Sequence, residues 1–104
     1  MGKNGFSVFL FPALTFVFTG MHYFYVIRNE QKELYYGYSS NLRKRFFEHN
    51  NGVSFSTKSH AWKLVYYEAY LSEGDARERE KQIKRFGQAW AQLRRRIKKS
   101  LNES

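Results

Sequence analysis

The sequence has no cysteine and only one proline, and it is short of acidic residues. Without cysteine there can be no disulfide, thiolate zinc site or cysteine nucleophile, and the composition fits a reducing compartment. The 9 Asp and Glu residues oppose 18 Lys and Arg residues, which leaves a net charge of +9. Such a balance favours a polyanionic partner, either nucleic acid or an anionic membrane surface, although charge can also serve solubility alone.

A hydrophobic run long enough to span a bilayer is also missing. Residues 6–18 are apolar, but a spanning helix needs roughly 20 residues, and Pro12 interrupts this run. We therefore predict that residues 1–20 are a hydrophobic extension and that the working domain starts at Met21. A signal or membrane anchor is the second interpretation, and an extra structural element the third. A cytoplasmic location of bacterial type is expected, with export or attachment through residues 6–18 left open.

Aromatic side chains are abundant, at 19% of the 104 residues. This length and a hydrophobic content of 42% indicate one globular domain. Alternating patterns predict strands over residues 22–28 and 34–38, joined by the polar residues 29–32, and a third strand over 62–71. Within the second strand, Gly37 marks a point of bending or close backbone approach, and Tyr25 and Tyr35 could face each other across the hairpin.

Three helices are predicted from capping and breaker residues. Asn41 is a good N-cap for a helix over residues 42–50. Ser72 to Asp75 resemble a capping box that opens a helix ending near Phe86. Gly87 should break the chain before a basic amphipathic helix over residues 88–101. The order is β-β-α-β-α-α, which predicts an α+β fold with a small, three-stranded, mainly antiparallel sheet flanked by helices.

Two helices carry charge where apolar residues are expected. Leu42 and Phe46 are predicted to anchor the first helix in the core. Arg45 and His49 flank this stripe, where an arginine stem along the core and a histidine bonded to a backbone carbonyl would be the simplest interpretation. Glu80 shares a face of the second helix with apolar residues, and burying a carboxylate requires compensation. It could form an ion pair with Arg45, which the spacing slightly favours, or hold a hard cation such as magnesium. Arg79 lies off this face and should be a surface charge.

Five ordered blocks over about residues 21–90 resemble the GIY-YIG nuclease domain, in particular its small stand-alone members. They are Phe24-Tyr25-Val26-Ile27, Leu34-Tyr35-Tyr36-Gly37, the helix from Ser40 to His49, the strand from Trp62 to Glu68, and the helix from Ala76 to Lys84. The chain departs from the family where Tyr23-Phe24-Tyr25 replaces Gly-Ile-Tyr. It also has no match for an asparagine that many members carry downstream. The resemblance divides the chain into residues 1–20, a nuclease domain over 21–90, and a basic C-terminal helix and tail over 91–104.

The resemblance implies a metal-dependent endonuclease that hydrolyses DNA phosphodiester bonds, with DNA repair or recombination as its expected processes and duplex or branched DNA as its substrate. Weak sequence specificity is expected because no recognition-helix or zinc-finger signature is present. No organic cofactor is implied, and the oligomeric state is open. A non-catalytic nucleic-acid-binding module of the same fold is the alternative, and a membrane-attached protein a distant third.

The resemblance also implies roles for particular residues. Glu80 would bind one Mg²⁺ or Mn²⁺ ion, Arg45 would neutralise phosphate charge, and Tyr25 would orient or deprotonate the attacking water. The last role requires Arg45 and the metal to lower the tyrosine pKa. The implied catalytic residues are Tyr25, Tyr35, Arg45, His49 and Glu80. The expected DNA contacts are Gly37, Lys44, Lys58, Arg94, Arg95 and Lys98.

Overall fold

A computed structural model describes residues 20–51 and 60–102. Its elements follow the predicted order and confirm the α+β class: β1 (His22–Asn29), β2 (Leu34–Ser39), α1 (Leu42–Asn50), β3 (Trp62–Tyr70), α2 (Glu73–Arg85) and α3 (Gly87–Arg96). The predicted extension over residues 1–20 lies, except for Gly20, outside the described residues, and so does Lys58. The division of the chain into three parts stays a prediction. No helix in the described ranges is long and apolar enough to cross a membrane.

The sheet is antiparallel, with the strand order β2-β1-β3. β1 takes the centre because its four residues Phe24–Ile27 are apolar on both faces, and all four are buried. The register pairs Tyr25 with Gly37 and Ile27 with Tyr35. The expected direct pairing of Tyr25 with Tyr35 is therefore wrong, because the hairpin turn sets a different register.

The two faces of the sheet bury separate cores. On one face, which we call the α2–α3 face, Phe24 and Val26 pack with residues of α2 and α3 and of the turn that follows them: Ile83, Leu93, Ile97 and Leu101. On the other, the α1 face, Tyr25 and Ile27 pack with Trp62 and with the partly buried Leu42 and Phe46 of α1. The predicted anchor residues of α1 are thereby confirmed. β1 residues of opposite parity thus support different helices, as strand alternation requires.

Helix α1 has the predicted bounds, and the Asn41 side chain accepts a hydrogen bond from the Lys44 backbone N–H at 3.1 Å. The predicted capping box of α2 is wrong in one respect, since Ser72 occupies the N-cap without a side-chain capping bond. Acidic residues in the first turn of α2 instead complement the helix dipole.

The break between the last two helices lies one residue earlier than predicted. It falls at Phe86, whose backbone is extended, and Gly87 is the first residue of α3. Helix α3 ends at Arg96 rather than Leu101, and turns follow it. Leu101 nevertheless reaches the core, and its carbonyl accepts a hydrogen bond of 2.9 Å from the Arg28 guanidinium.

A carboxylate network closes the β3 side of the α2–α3 face. Glu68 accepts hydrogen bonds from the hydroxyls of Tyr66, at 2.6 Å, and Tyr70. Arg79 adds bonds of 3.0 and 3.1 Å from Nε and Nη2. The expectation that Arg79 is a surface charge is therefore wrong, because α2 packs this side chain onto β3.

Two side chains fix the flanks of the connection between α1 and β3. The Asn50 carboxamide bonds both the N–H of Trp62, at 2.6 Å, and its carbonyl, at 3.0 Å. Glu30, in the turn between β1 and β2, accepts hydrogen bonds from the His60 ring at 2.7 Å and the Ala61 N–H at 2.8 Å. The entry to β3 is thus held by α1 and by the hairpin turn.

Candidate active site

The candidate site begins with Tyr25 at the centre of the sheet, opposite Gly37. A Cβ atom at Gly37 would lie 2.8 Å from Cε1 of the Tyr25 ring and closer still to its hydroxyl end. The ring therefore crosses over Gly37 toward the outer edge of β2. This confirms the predicted close approach at Gly37, and it shows that the approaching group is a tyrosine ring.

Helix α1 brings Arg45 and His49 to the end of this ring. Residues four apart share one face of a helix, and both side chains meet Tyr25. The Tyr25 hydroxyl lies 2.7 Å from Nε2 of His49. The guanidinium of Arg45 donates to the hydroxyls of Tyr25 and Tyr35 and forms an ion pair of 3.1 Å with Glu48. The expected bond of His49 to a backbone carbonyl is replaced by this bond to Tyr25.

Aromatic rings pack around the imidazole. His49 has no exposed surface. Its ring centroid lies 5.0 Å from that of Tyr35 and 6.5 Å from that of Trp62, both in edge-type or tilted contacts. Tyr35 and Trp62 also contact each other at 6.3 Å. These contacts fix the orientation of His49 and therefore the direction of its bond to Tyr25.

Burial controls the ionisation of the two bonded side chains. Removal from water raises the pKa of Tyr25 to about 12, although the charge of Arg45 acts in the opposite direction. Arg45 was expected, together with a metal ion, to lower the pKa of Tyr25. In the protein alone, Arg45 lowers this pKa by less than burial raises it. Burial, helped by the charge of Arg45, lowers the pKa of His49 to about 4. At neutral pH both side chains are uncharged.

Arg45 keeps its charge at every accessible pH. Desolvation opposes the charge, but hydrogen bonds to Tyr25 and Glu48 outweigh it and raise the pKa of Arg45 above its ordinary value. The side chain is 32% exposed. A permanently charged guanidinium with an exposed part is suited to bind an oxyanion, because its donors are arranged in a planar fork.

Helix α2 supplies Glu80 along the β2 edge. Ala76 and Ile83 anchor the helix in the core, while Glu80 lies close enough to Tyr25 to oppose ionisation of the phenol. The predicted ion pair with Arg45 is wrong: the Glu80 Oε2 atom pairs with Nζ of Lys84 at 2.9 Å. One turn to each side, Arg77 and Lys84 lie over the Tyr38 and Tyr35 rings of β2, at 4.1 and 5.8 Å from the centroids.

The donor chemistry at Glu80 fits one kind of metal ion. The described residues contain no group of three or more His, Asp or Glu side chains that could hold a metal. Tetrahedral zinc sites, with three or four protein ligands, are therefore not matched here. Magnesium commonly uses one or two carboxylates, keeps several waters and completes its shell with phosphates of the substrate. Glu80, with 22% of its side chain exposed, fits that pattern.

A basic concavity lies on the opposite face of β2. It has a volume of about 300 Å³ and is lined by Trp90, Ala91, Arg94, Arg95 and Lys98 of α3 and the following turn. The Trp90 ring packs at 5.1 Å from Tyr36, whose neighbour Tyr35 points into the candidate site. The concavity and the site therefore flank the same strand.

The structure thus brings the five predicted catalytic residues together at the β2 edge. Of the expected DNA contacts, Gly37 lies beneath the Tyr25 ring, Lys44 is exposed on α1, and three cations line the α3 concavity. Lys84 was missed by the sequence reasoning. Its spacing of four residues after Glu80, which favours an ion pair on a helix, was the signal available.

Comparisons with known proteins identify the family of this chain. A profile of the GIY-YIG catalytic domain matches residues 21–98. A UPF0213 protein of Staphylococcus saprophyticus is 34% identical over 67 residues, which cover 62% of this chain and 82% of that protein. A UPF0213 protein of Clostridium perfringens is 36% identical over 67 residues, which cover 62% of this chain and 72% of that protein. A UPF0213 protein of Pseudomonas aeruginosa is 44% identical over 62 residues, which cover 58% of this chain and 60% of that protein. No solved structure matches the chain.

Proposed function

This chain belongs to the GIY-YIG family, a nuclease superfamily, and from this premise we propose that it is a divalent-metal-dependent endonuclease that hydrolyses DNA phosphodiester bonds. One observation carries the proposal. Two phenols and a permanently charged guanidinium meet at the β2 edge, and the Glu80 carboxylate lies beside them. These groups come from two strands and two helices. Packing alone does not require all of them to be polar.

Arg45 is the residue we assign to the phosphate. Hydrolysis places additional negative charge on the non-bridging oxygens, and preorganised cationic donors stabilise that charge without reorganising. The bonds from Arg45 to Tyr25 and Glu48 hold the guanidinium in place before DNA arrives. Its exposed part then faces the phosphate.

Tyr25 and His49 provide a route for the proton of the attacking water. Arg45 can only donate, so we assign the Tyr25 proton to the bond with Nε2 of His49. The phenol oxygen then keeps a lone pair that can accept a hydrogen bond from the water. As the water oxygen forms its bond to phosphorus and the bond to the 3′ oxygen breaks, the water gives a proton to Tyr25 and Tyr25 passes its own to His49. No free phenolate is formed, but the imidazolium formed instead needs stabilisation, because the pKa of His49 is about 4 in the protein alone. The negative charge of a bound phosphate favours that charged form.

Glu80 is the residue that would hold the metal ion, and its Oε2 atom bonds Lys84. A bound magnesium or manganese ion supplies positive charge that stabilises the leaving oxygen. Lys84 keeps the carboxylate beside the Tyr35 ring. Tyr35 in turn bonds Arg45 and packs on His49, so its proposed role is to support both groups.

The α3 concavity is the proposed grip on the DNA backbone. Arg94, Arg95 and Lys98 contribute three positive charges on the α2–α3 face of β2, and Lys44 adds one near the site. A strand that passes around the β2 edge would meet both. Such contacts carry no sequence information. We also propose Lys58 as a backbone contact, and repair or recombination of duplex or branched DNA as the setting.

The test is a cleavage assay on linear, branched and single-stranded DNA with magnesium, manganese or no divalent ion. Glu80→Gln should abolish metal-dependent cleavage and leave DNA binding in EDTA nearly unchanged, because it removes the ligand charge but not the cations. Glu78→Gln, an exposed carboxylate on the same helix, is the matched control and should cleave like the wild type. If Glu80→Gln cleaved as fast as the wild type, the metal assignment would be wrong.

A non-catalytic DNA-binding module is the second candidate. The observation that favours it is the ion pair of Glu80 with Lys84, which already neutralises the proposed ligand. DNA binding that weakens with salt, without cleavage under any divalent ion, would support this alternative.

A further inference from the structure

A pair of aromatic residues, the half-buried Tyr23 and the exposed Tyr67, lies on the α1 face of the sheet outside the catalytic cluster. Tyr67 of β3 is 52% exposed, which is unusual for a large ring in the middle of a strand. Its ring contacts that of Tyr23 on β1, edge to face, with centroids 5.9 Å apart. The residue opposite Tyr23 on β3 is Ala69, which is small and exposed.

This pair is adjacent to the proposed catalytic residues. Tyr67 is the direct partner of Tyr25 in the β1–β3 ladder, and directly opposed residues share a face of the sheet. The Tyr25 ring leans the other way, over Gly37 toward β2. The two tyrosines therefore divide the face: Tyr25 meets Arg45 at the β2 side, and Tyr67 occupies the β3 side. A phosphate held by Arg45 would have Tyr67 on the same face of the sheet, toward β3.

The dimensions suit a nucleotide a few steps from the cleaved bond. Neighbouring strands are about 4.8 Å apart, and stacked bases rise about 3.4 Å per step along a strand. β2 and β3 are two strand spacings apart in this sheet, roughly 10 Å, so Tyr67 lies about three nucleotide steps from a phosphate on Arg45. An aromatic ring beside a cationic phosphate site is the combination that binds unpaired bases, because every base has a π-face. Bases inside a duplex present only their edges to a flat sheet.

We propose that Tyr67, supported by Tyr23, is a stacking surface for an unpaired nucleobase a few nucleotides from the cleaved phosphate. The pair directs the proposed nuclease toward DNA with single-stranded character near the cut, such as a flap, a bulge or a frayed end. This inference rests on the proposed function for the position of the phosphate. The stacking itself is measurable without cleavage.

The experiment compares the binding of a single-stranded oligonucleotide with that of a blunt duplex of the same length, by fluorescence anisotropy in EDTA. The wild type should prefer the single strand. Tyr67→Leu keeps an apolar side chain against Tyr23 but cannot stack, so it should weaken single-strand binding about tenfold and leave duplex binding within twofold. Tyr67→Phe keeps the ring and should bind like the wild type.

Phe86→Ser is the matched control, since Phe86 is an aromatic residue of similar exposure, 55%, between α2 and α3. It should not change the preference. A second measurement needs no variant: irradiation of the wild type with an oligonucleotide containing 5-bromouracil should crosslink the peptide that carries Tyr67. Equal losses on both DNAs in Tyr67→Leu, or crosslinks confined to α3, would overturn the stacking role.

The same oligonucleotides with magnesium separate this inference from the proposed nuclease activity. If the wild type cleaves DNA but Tyr67→Leu keeps the wild-type binding preference, the nuclease activity is supported and the stacking surface is refuted. A Tyr67-dependent preference without cleavage would refute the nuclease and keep the stacking surface as part of a binding module.

Discussion

Gly37 shows how one residue type can determine the shape of this site. The Tyr25 ring occupies the space in which a side chain at position 37 would lie. Only a glycine there lets the phenol reach the β2 edge, where it meets Arg45 and His49. The glycine acts by its volume alone, since its backbone is an ordinary strand residue with a ladder partner.

Gly37→Ala should therefore destabilise the protein and disturb the site together. The added Cβ must displace the Tyr25 ring, and such overpacking of a core costs about 1–3 kcal/mol. Thermal or urea unfolding would measure the loss. Gly87→Ala is the control, because a Cβ there meets nothing within 4 Å. Equal stability of the Gly37 and Gly87 variants would contradict the close contact.

His49 should make stability depend on pH above the range in which carboxylates titrate. Its pKa is about 4 in the folded protein and about 6.5 when unfolded. Between these values the unfolded chain binds the extra proton, so stability is complete above pH 6.5 and falls as the pH is lowered. From pH 7 to pH 5 the loss should be roughly 2 kcal/mol.

Urea unfolding of the wild type and of His49→Gln at both pH values tests this expectation. The wild type should lose stability over the interval, and the variant, which has no imidazole at this position, should lose much less. A variant with the same slope as the wild type would assign the titration to another group.

The residue-level features divide into those that sequence could predict and those that it could not. Arg45 and His49 were predicted to lie together because helix periodicity fixes residues four apart. The bond from Tyr25 to His49 could not be predicted, because it depends on how α1 packs against the sheet. The raised pKa of Tyr25 likewise follows from burial, which the sequence around a tyrosine does not reveal.

At the scale of elements, α3 has two different sides. Leu93 and Ile97 are buried in the core, and a different side of the helix and of the turn after it gives Arg94, Arg95 and Lys98 to the concavity. The pattern was visible in the sequence because the helical period separates the two sets. The end of the helix at Arg96 was not, since the following turn keeps Ile97 and Leu101 on the same apolar side.

Charge removal on α3 should lower DNA affinity and its dependence on salt. In the triple variant Arg94→Gln, Arg95→Gln and Lys98→Gln, the slope of log K against log salt for duplex DNA should fall by about 3, at roughly 0.9 per phosphate contact. Binding titrations between about 50 and 200 mM salt would measure this slope.

The control removes the same number of charges from exposed positions on other elements, through Lys32→Gln, Lys63→Gln and Lys81→Gln. Its slope should stay close to that of the wild type. If the two triple variants changed the slope equally, binding would depend on net charge and not on the α3 concavity.

At the scale of the whole molecule, the last described turn is bound to the central strand of the sheet. Leu101 packs in the core and its carbonyl bonds Arg28 of the central strand. The fold itself was predictable from periodicity, because alternating and helical patterns are long enough in this chain to identify six elements. The register of the sheet was not, since it depends on the turn over residues 30–33.

Removal of residues 97–104 should therefore destabilise the whole domain. The deletion takes away the buried side chains Ile97 and Leu101, each worth about 1.5–3 kcal/mol when fully buried, as well as the bond to Arg28. A chain that lacks only residues 103–104 keeps all three. The two melting temperatures should differ clearly, and similar values would show that the last turns contribute little.

The hydrogen bonds of Asn50 and Glu30 hold the two ends of the connection between α1 and β3, and this affects how far the length of that connection can vary. Asn50 belongs to α1 and Glu30 to the turn between β1 and β2, so both lie outside this connection. Extra residues inserted into the connection would therefore not displace β3, which carries Tyr67, or α1, which carries Arg45. Homologous chains can thus be expected to differ in the length of this interval while Arg45 and Tyr67 keep their positions.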